Sequence, residues 1–131
     1  MSYIEKNAKD AIQNIFSTIS DESQIDICGY FASDMVKENN KSCIYPCFIG
    51  FNNSTIVIVK INLQLEIEEI KLLNPSDIEN IKIKKSIFSK VIKVHIECMD
   101  KTSLTFGALH KLKYIPKHQE SIKLFMTIFE D

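Results

Sequence analysis

Arginine is absent from this chain, and all 16 basic residues are lysines. The planar, bidentate contact by which a guanidinium holds a phosphate or a base edge is therefore missing from its chemistry. The formal net charge is −1 at pH 7, so the whole chain has no general attraction to nucleic acid or to an anionic membrane. We expect no nucleic-acid partner, and any phosphate binding must come from local clusters of lysine.

Glycine is also scarce, since the chain contains only Gly29, Gly50 and Gly107. No glycine-rich loop can therefore surround a nucleotide phosphate, and no His-Glu-x-x-His helix or calcium loop occurs. The segment DKTS at residues 100–103 lacks the glycine of a phospho-acceptor motif and is predicted to be a solvated turn. We expect no cofactor and no enzyme activity. A catalytic triad assembled in space is the alternative that a motif search leaves open.

Cysteine occurs four times, at Cys28, Cys43, Cys47 and Cys98. The intracellular setting expected below predicts reduced thiols. The spacings are poor for structural zinc, and alternation along a strand puts His95 and Cys98 on opposite faces. We expect buried, apolar cysteines and no metal.

Long apolar segments are few. The amino terminus, MSYIEKNAKD, carries charges where a secretory signal needs an apolar run. The longest uncharged stretch, residues 42–59, approaches the length of a membrane span. Pro46 and the Asn52–Asn53 pair interrupt it, which favours two strands joined by a turn. The protein is expected to be soluble and cytoplasmic.

Both ends of the chain show helical periodicity. Residues 3–19 place apolar side chains three and four residues apart, which predicts an amphipathic helix that packs on the body of the domain. A mobile arm that docks on a partner is the alternative. Residues 116–131 begin with a proline suited to a first helical position. The apolar faces comprise Ile4, Ala8, Ile12, Ile15, Phe16 and Ile19 in the first helix, and Ile122, Phe125, Met126 and Phe129 in the second.

Between the helices the dominant period is two, which predicts about seven strands. Asn52 and Asn53 tolerate the positive φ of a tight hairpin. In residues 63–70, Leu63, Leu65 and Ile67 should face one side of a strand. Residues 37–42 are predicted to be a polar loop, and 85–90 a turn. The predicted strands are 24–32, 43–51, 55–61, 63–70, a hairpin of 81–84 with 92–97, and 103–109.

The predicted fold class is mainly β, or α+β. A sheet with one apolar face must cover that face. Seven short strands can do so by curling into two packed sheets, with the last helix plugging the open end. We therefore predict a barrel-like domain over residues 21–131, preceded by an amphipathic helical extension over residues 1–20.

This order of elements resembles the pleckstrin-homology (PH) superfold, specifically the bacterial PH-like proteins of the YokE-like group. The resemblance covers residues 20–131. In that family an isoleucine follows a short acidic turn and opens a hairpin, which Asp77, Ile78, Ile81 and Ile83 match. The segments that carry it are CFIGFNNSTIVIVKI at 47–61, LNPSDIENIKIKKSIFSKVIKVHIE at 73–97, SLTFGAL at 103–109 and IPKHQESIKLFMTIF at 115–129.

The chain departs from the family at residues 51–54, Phe-Asn-Asn-Ser, where members often have threonine, two polar residues and arginine. The role that this arginine has elsewhere is therefore in doubt here. The resemblance implies a protein without enzyme activity. Some PH-like relatives bind lipid headgroups, peptides or themselves.

The hairpin over residues 81–97 is the candidate binding surface. A lysine near an anionic bilayer contributes about 1 kcal/mol, so five would give roughly 5 kcal/mol before repulsion. The alternative is a solvated sheet face, with Glu66, Glu68, Glu69, Glu79 and Glu97 close in sequence, and the balance favours it. The candidate binding residues are Lys82, Lys84, Lys85, Lys90 and Lys93, with Ile87 and Phe88 at the predicted tip.

Two functions from different classes follow. The first is a non-catalytic intracellular interaction module that acts through protein contacts or self-association, by its strand edges or its first helix. The alternative is weak peripheral attachment to anionic lipid headgroups at the inner membrane face, through the lysine-rich hairpin 82–93.

Overall fold

The structure, a computed structural model, describes residues 3–38, 45–62, 64–85, 90–109 and 117–129. The chain begins and ends with a helix, and seven strands lie between them. In chain order the elements are α1 (Tyr3–Ser23), β1 (Gly29–Glu38), β2 (Tyr45–Phe51), β3 (Ile56–Ile61), β4 (Ile67–Leu73), a 3₁₀ turn (Pro75–Asp77), β5 (Ile78–Lys85), β6 (Val91–Cys98), β7 (Ser103–Leu109) and α2 (His118–Phe129).

The strands form one antiparallel sheet in the order β4-β3-β2-β1-β7-β6-β5. Strand β1 joins its two halves, because it pairs with β2 from Gly29 to Ser33 and again at Val36, and with β7 from Met35 to Glu38. An irregularity between Ser33 and Val36 interrupts the register with β2. The bent β1 makes one continuous sheet where two packed sheets were predicted. The predicted set of seven strands and two terminal helices is confirmed.

Helix α2 covers the inner face of the sheet. Phe125 lies at the centre of this inner core, with its ring centroid 5.3 Å from that of Phe31, 5.2 Å from Phe51 and 6.2 Å from Phe106. Such edge-on aromatic pairs stabilise beyond their buried area. The predicted apolar face of α2 is confirmed, since Ile122 is also fully buried and Met126 and Phe129 pack against the same core.

Helix α1 covers the outer face over β1, β2 and β3. Ile12, Phe16 and Ile19 are buried, and the Phe16 ring stacks on Tyr30 with 5.7 Å between ring centroids. The helix runs to Ser23, past the break predicted at residue 20. The division of the chain into 1–20 and 21–131 stays a prediction. The sheet residues beneath α1 are Ala32, Phe48, Val57, Val59 and Ile61.

The amino end of α2 fills the corner where β1 leaves β7. There the Ala32 amide donates to Nδ1 of His118 at 3.4 Å, and Nε2 of the same ring donates to the Leu109 carbonyl at 2.6 Å. The Tyr30 amide donates to Oγ of Ser121 at 3.2 Å. Side chains of the helix thus satisfy strand amides that lack a strand partner on this side.

The first predicted strand was placed too early. The strand begins at Gly29, not at residue 24, and continues to Glu38 into the predicted loop 37–42. Residues 39–42 lie outside the described residues. The register shift between Ser33 and Val36 breaks the period of two, so an uninterrupted alternation does not extend into the second half of the strand.

The fourth strand was also misplaced. Its predicted span was 63–70, but β4 covers Ile67–Leu73, and Leu65 lies in a turn with φ 64°. The Asn62 side chain makes this turn, since its Oδ1 accepts the amides of Gln64 at 2.9 Å and Glu66 at 3.0 Å. The predicted strand at residues 64–66 is therefore wrong, although Leu65 packs on the α1 side of the sheet, where Ile67 also lies; Leu63 lies outside the described residues.

The hairpin between β2 and β3 is confirmed, but its turn differs from the prediction. Neither Asn52 nor Asn53 has a positive φ. Instead, Oδ1 of Asn52 accepts the amides of Ser54 at 2.9 Å and Thr55 at 2.8 Å. Asparagine closes this turn by hydrogen bonding rather than by conformational tolerance.

The cysteines and the membrane prediction can be checked for the described part of the chain. Cys47 and Cys98 are buried, as expected, whereas Cys28 is exposed, and none of these three forms a disulfide. Cys28 precedes β1, where the predicted strand would have buried it. Cys43 lies outside the described residues. Within the described ranges, no helix combines the length and apolar character needed to span a bilayer, and no cluster of three metal-ligating side chains occurs.

Candidate binding site: a basic groove

The outer face of the sheet, away from α1, carries a row of polar side chains that crosses four strands. Lys82 on β5 lies opposite His95 on β6, His95 lies opposite Thr105 on β7, and Thr105 lies opposite Lys37 on β1. Opposite residues in antiparallel strands have Cβ atoms about 4.5–5.5 Å apart. This register places two lysines from distant parts of the chain on either side of His95 and Thr105.

The adjacent row adds two more lysines. Lys84 lies opposite Lys93, and Lys93 lies opposite Gly107, which has no side chain to fill the space above β7. The two rows enclose an open groove of about 400 Å³, which we call the basic groove. Its lining residues are Lys37, Lys82, Lys84, Lys93, His95, Glu97 and Thr105.

The centre of the basic groove is fixed by a hydrogen bond. His95 Nδ1 and Thr105 Oγ1 are 2.7 Å apart, which holds the imidazole across β6 and β7. His95 Nε2 lies 3.8 Å from the carboxylate of Glu97, the one acidic residue among the described residues of the lining. The site therefore presents four ammonium groups against a single carboxylate, which favours an anionic ligand.

The structure brings together part of the predicted binding set. Lys82, Lys84 and Lys93 line the basic groove, whereas Lys85 and Lys90 are exposed on the same hairpin but do not line it. Ile87 and Phe88 lie outside the described residues, so the predicted apolar tip stays a prediction. That any of these residues binds a ligand also stays a prediction.

Sequence reasoning missed Lys37 and Thr105. Lys37 was assigned to a polar loop because the irregularity in β1 hid the end of the strand. The pairing of β1 with β7 brings Lys37 beside residues almost 70 positions later in the chain. An alternating reading that resumed after Ser33 would have extended the strand to Lys37.

Three of the five glutamates that supported a solvated face, Glu66, Glu68 and Glu69, are not on the lysine strands. Glu68 and Glu69 lie on β4, and Glu66 lies just before it, at the opposite end of the sheet order from β5. Glu97 lines the basic groove, and Glu79 is exposed on β5. Closeness in sequence was misleading, because the turn at Pro75–Asp77 separates two strands that pair with different neighbours.

A second notable surface is the free side of β4. Three large aliphatic residues on this short strand are substantially exposed: Ile67 at 46%, Ile70 at 48% and Leu72 at 41%. Their opposite neighbours on β3, Ile61, Val59 and Val57, are buried under α1. The exposed residues therefore continue the α1 side of the sheet beyond the part that the helix covers.

A charged cluster lies on the other face near β4. The Tyr45 hydroxyl donates to Glu38 at 2.8 Å, and Lys71 Nζ lies 3.7 Å from the same carboxylate. Burial, followed by the bond to Glu38, raises the pKa of Tyr45 above its ordinary value. The Lys60 ammonium lies 4.7 Å from the centroid of the Tyr45 ring, a cation–π contact. These contacts fix charged groups that flank the core.

The comparisons with known proteins show no family for this chain. No family model matches the chain, and no curated protein matches it. Among solved structures, the pleckstrin homology domain of USP37 is similar, with a TM-score of 0.43 and 14% sequence identity over 73% of this chain and 91% of that chain. The antiparallel seven-stranded sheet, with a carboxyl-terminal helix on its inner face and an amino-terminal helix on its outer face, has the element order predicted for a PH-like fold.

Proposed function

We propose that this protein is a non-catalytic interaction module of PH-like fold, of the bacterial YokE-like group, that holds an acidic segment of a partner protein in the basic groove. The observation that carries the proposal is the convergence of Lys37, Lys82, Lys84 and Lys93 from three strands around one concavity. The chain as a whole has a net charge of −1, so this cluster is a local feature and not a consequence of composition.

The shape of the site favours an extended acidic segment. Carboxylates on a flexible peptide can enter a concave site between lysine side chains, whereas a flat bilayer can contact only the side chains at the rim of the groove. Each exposed lysine–carboxylate contact contributes about 0.2–1 kcal/mol, so four contribute roughly 1–4 kcal/mol. Because about 4 kcal/mol corresponds to millimolar affinity, the partner must make further contacts, and its binding must weaken as salt rises.

The interior of the sheet supports a binding role. The space between the sheet and α2 is filled by tightly packed aliphatic and aromatic side chains, including Phe31, Phe51, Phe106 and Phe125. The described residues therefore leave no room for a catalytic pocket in this core. The polar groups that converge do so on the outer face, where His95 is held by Thr105 and flanked by lysines. We propose a cytoplasmic location, where acidic protein segments are accessible.

The second candidate is attachment to anionic lipid headgroups at the inner face of the membrane. The observation that favours it is that Lys82, Lys84 and Lys93 lie together on one exposed hairpin. Lysine binds a phosphate as a point charge, so the basic groove suits a headgroup phosphate as well as a carboxylate.

The experiment compares the two ligands directly. Binding of a fluorescein-labelled oligoglutamate peptide is measured by anisotropy, and binding to phosphatidylglycerol vesicles by co-sedimentation, both in a salt series. The Lys82→Glu/Lys84→Glu variant removes two groove lysines. Its matched control, Lys117→Glu/Lys123→Glu, makes the same change in net charge at two exposed positions, one just before α2 and one within it. Helix α2 packs on the inner face of the sheet, away from the basic groove.

We expect salt-sensitive peptide binding that the groove variant loses and the control keeps. Vesicle binding with the same pattern, without peptide binding, replaces the first candidate by the second. If neither ligand binds at low salt, or if both double variants lose binding equally, the basic groove is not the site.

A further inference from the structure

The two edges of the sheet are protected unequally. Sheet edges carry unpaired backbone groups, and proteins commonly protect them with lysine. Strand β5 fits this rule with Lys82, Lys84 and Lys85. Strand β4, at the other edge of the described sheet, has instead the exposed Ile67, Ile70 and Leu72 along one face.

From Glu69 to Leu72 the side chains of β4 alternate between its two faces, whereas a register irregularity at residue 68 puts Ile67 on the same face as Ile70. Leu72 and Ile70 lie opposite Val57 and Val59 on the α1 side, whereas Lys71 and Glu69 lie opposite Ile58 and Lys60 on the α2 side. The edge thus offers an apolar row on one face and a Glu–Lys pair on the other. Both rows are short and lie within residues 67–72.

We propose that β4 pairs antiparallel with β4 of a second copy of this chain, about a twofold axis at Ile70. Two copies related by a twofold axis perpendicular to the sheet form one continuous sheet only if the residues that face each other lie on the same side of it. Because side chains alternate along a strand, this requires one residue to face its own equivalent in the second copy across the axis. Ile70 then meets Ile70 of the second copy. Glu69 meets Lys71 of the second copy, and this contact occurs twice.

The charges select this register. An axis at Glu69 or at Lys71 sets like charges against each other, and opposite like charges destabilise a sheet. An axis at Leu72 leaves Lys71 against Leu73. Only the axis at Ile70, among positions 69–72, pairs opposite charges and keeps an apolar pair at the centre. It also continues a row of alternating charge, because Glu69 already lies opposite Lys60.

The proposed dimer goes beyond the proposed function and leaves the basic groove untouched. The groove is formed by β5, β6, β7 and the end of β1, at the far side of the sheet from β4. Each dimer therefore presents two basic grooves. A partner with two acidic segments, or a surface with many, would be held more tightly by the dimer through effective concentration.

The first test is sedimentation equilibrium of the full chain and three charge variants. Glu69→Lys sets lysine against Lys71 of the second copy at both contacts, and Lys71→Glu sets two carboxylates together. We expect each to weaken the dimer by about tenfold or more, and the double exchange Glu69→Lys/Lys71→Glu to recover it to within about threefold. The exchange worsens the contacts of these residues with Lys60 and Glu38 inside the chain, so recovery cannot come from a more stable monomer.

The second test is a disulfide at the axis. Facing Cα atoms in an antiparallel pair are about 4.5–5.5 Å apart, which suits a disulfide. In a Cys28→Ser background, Ile70→Cys should form a covalent dimer on mild oxidation. Leu124→Cys, an exposed site on α2, is the control and should not.

Three outcomes overturn the proposal. The first is a wild-type chain that stays monomeric at high concentration, with no Ile70→Cys cross-link. The second is a dimer that both single charge variants leave unchanged. The third is growth beyond a dimer that Lys82→Glu/Lys84→Glu abolishes, because this pattern indicates head-to-tail pairing of the acidic β4 with the lysine edge β5.

Discussion

The ring of Phe16 in α1 lies directly on Gly50 of β2, in the space that a side chain at position 50 would occupy. Gly50 lies opposite Tyr30 on β1 and Val57 on β3, and Phe16 also stacks on Tyr30. Gly50 is needed for close approach and not for an unusual φ. The contact fixes how deeply α1 sits on the outer face of the sheet.

Substituting Gly50 by alanine should therefore destabilise the fold. The new methyl group overlaps the Phe16 ring, and overpacking of this kind costs about 1–3 kcal/mol. Urea unfolding followed by circular dichroism measures the change. The double variant Gly50→Ala/Phe16→Leu should lose less than the sum of its two single variants, because leucine leaves room for the methyl group. Strict additivity would contradict the contact.

Removal of residues 1–23 should cost the domain much of its stability. Burial of Ile12, Phe16 and Ile19 contributes about 1.5–3 kcal/mol each, or roughly 5–9 kcal/mol together. This is comparable with the whole free energy of unfolding of a small domain, about 5–15 kcal/mol. We expect the shortened chain to bind a hydrophobic dye and to unfold without a sharp transition. An unchanged urea midpoint would show that the chain from residue 24 onward folds without α1.

His118 should matter for stability through its two hydrogen bonds at the corner between β1 and β7. Replacement by leucine leaves the Ala32 amide without its acceptor, and a buried unsatisfied group costs about 1–3 kcal/mol. Gln119→Leu, the neighbouring position on the same turn of α2, is the control and should change stability little. Equal unfolding midpoints for the two variants would refute the bridging role.

Acid should weaken the turn between β6 and β7. The Thr102 hydroxyl and amide both donate to the Asp100 carboxylate, which lowers the pKa of Asp100 below its ordinary value. Because the pKa is lower in the folded than in the unfolded chain, the carboxylate stabilises the fold above the unfolded-state pKa. That contribution is lost as pH falls through the folded-state value.

NMR titration of the Asp100 carboxyl carbon follows this effect. Thr102→Val removes the hydroxyl bond and should move the midpoint of Asp100 upward. Thr127→Val makes the same chemical change on α2 and should leave it in place. A midpoint that does not respond to Thr102→Val would show that the amide bond, and not the hydroxyl, holds the carboxylate.

Local patterns were reliable where each residue's environment repeats regularly. The alternation of Ile92, Val94 and Ile96 predicted their burial, and the three- and four-residue spacing of Ile122 and Phe125 predicted the inner face of α2. The patterns failed where a turn or a register irregularity interrupted a strand. Asn62 closed a turn inside a predicted strand, and the bulge after Ser33 reversed the alternation in β1.

The sequence by itself determined the number and order of the helices and strands, and which faces of the two helices are apolar, because these depend on neighbours a few residues away. Only the tertiary structure decided that Lys37 joins the lysines of the hairpin and that Glu68 and Glu69 lie on the opposite edge. It also decided that β4 has an uncovered apolar row. Such juxtapositions depend on which strands pair over long separations, and the same alternating pattern on a single strand is compatible with many pairings.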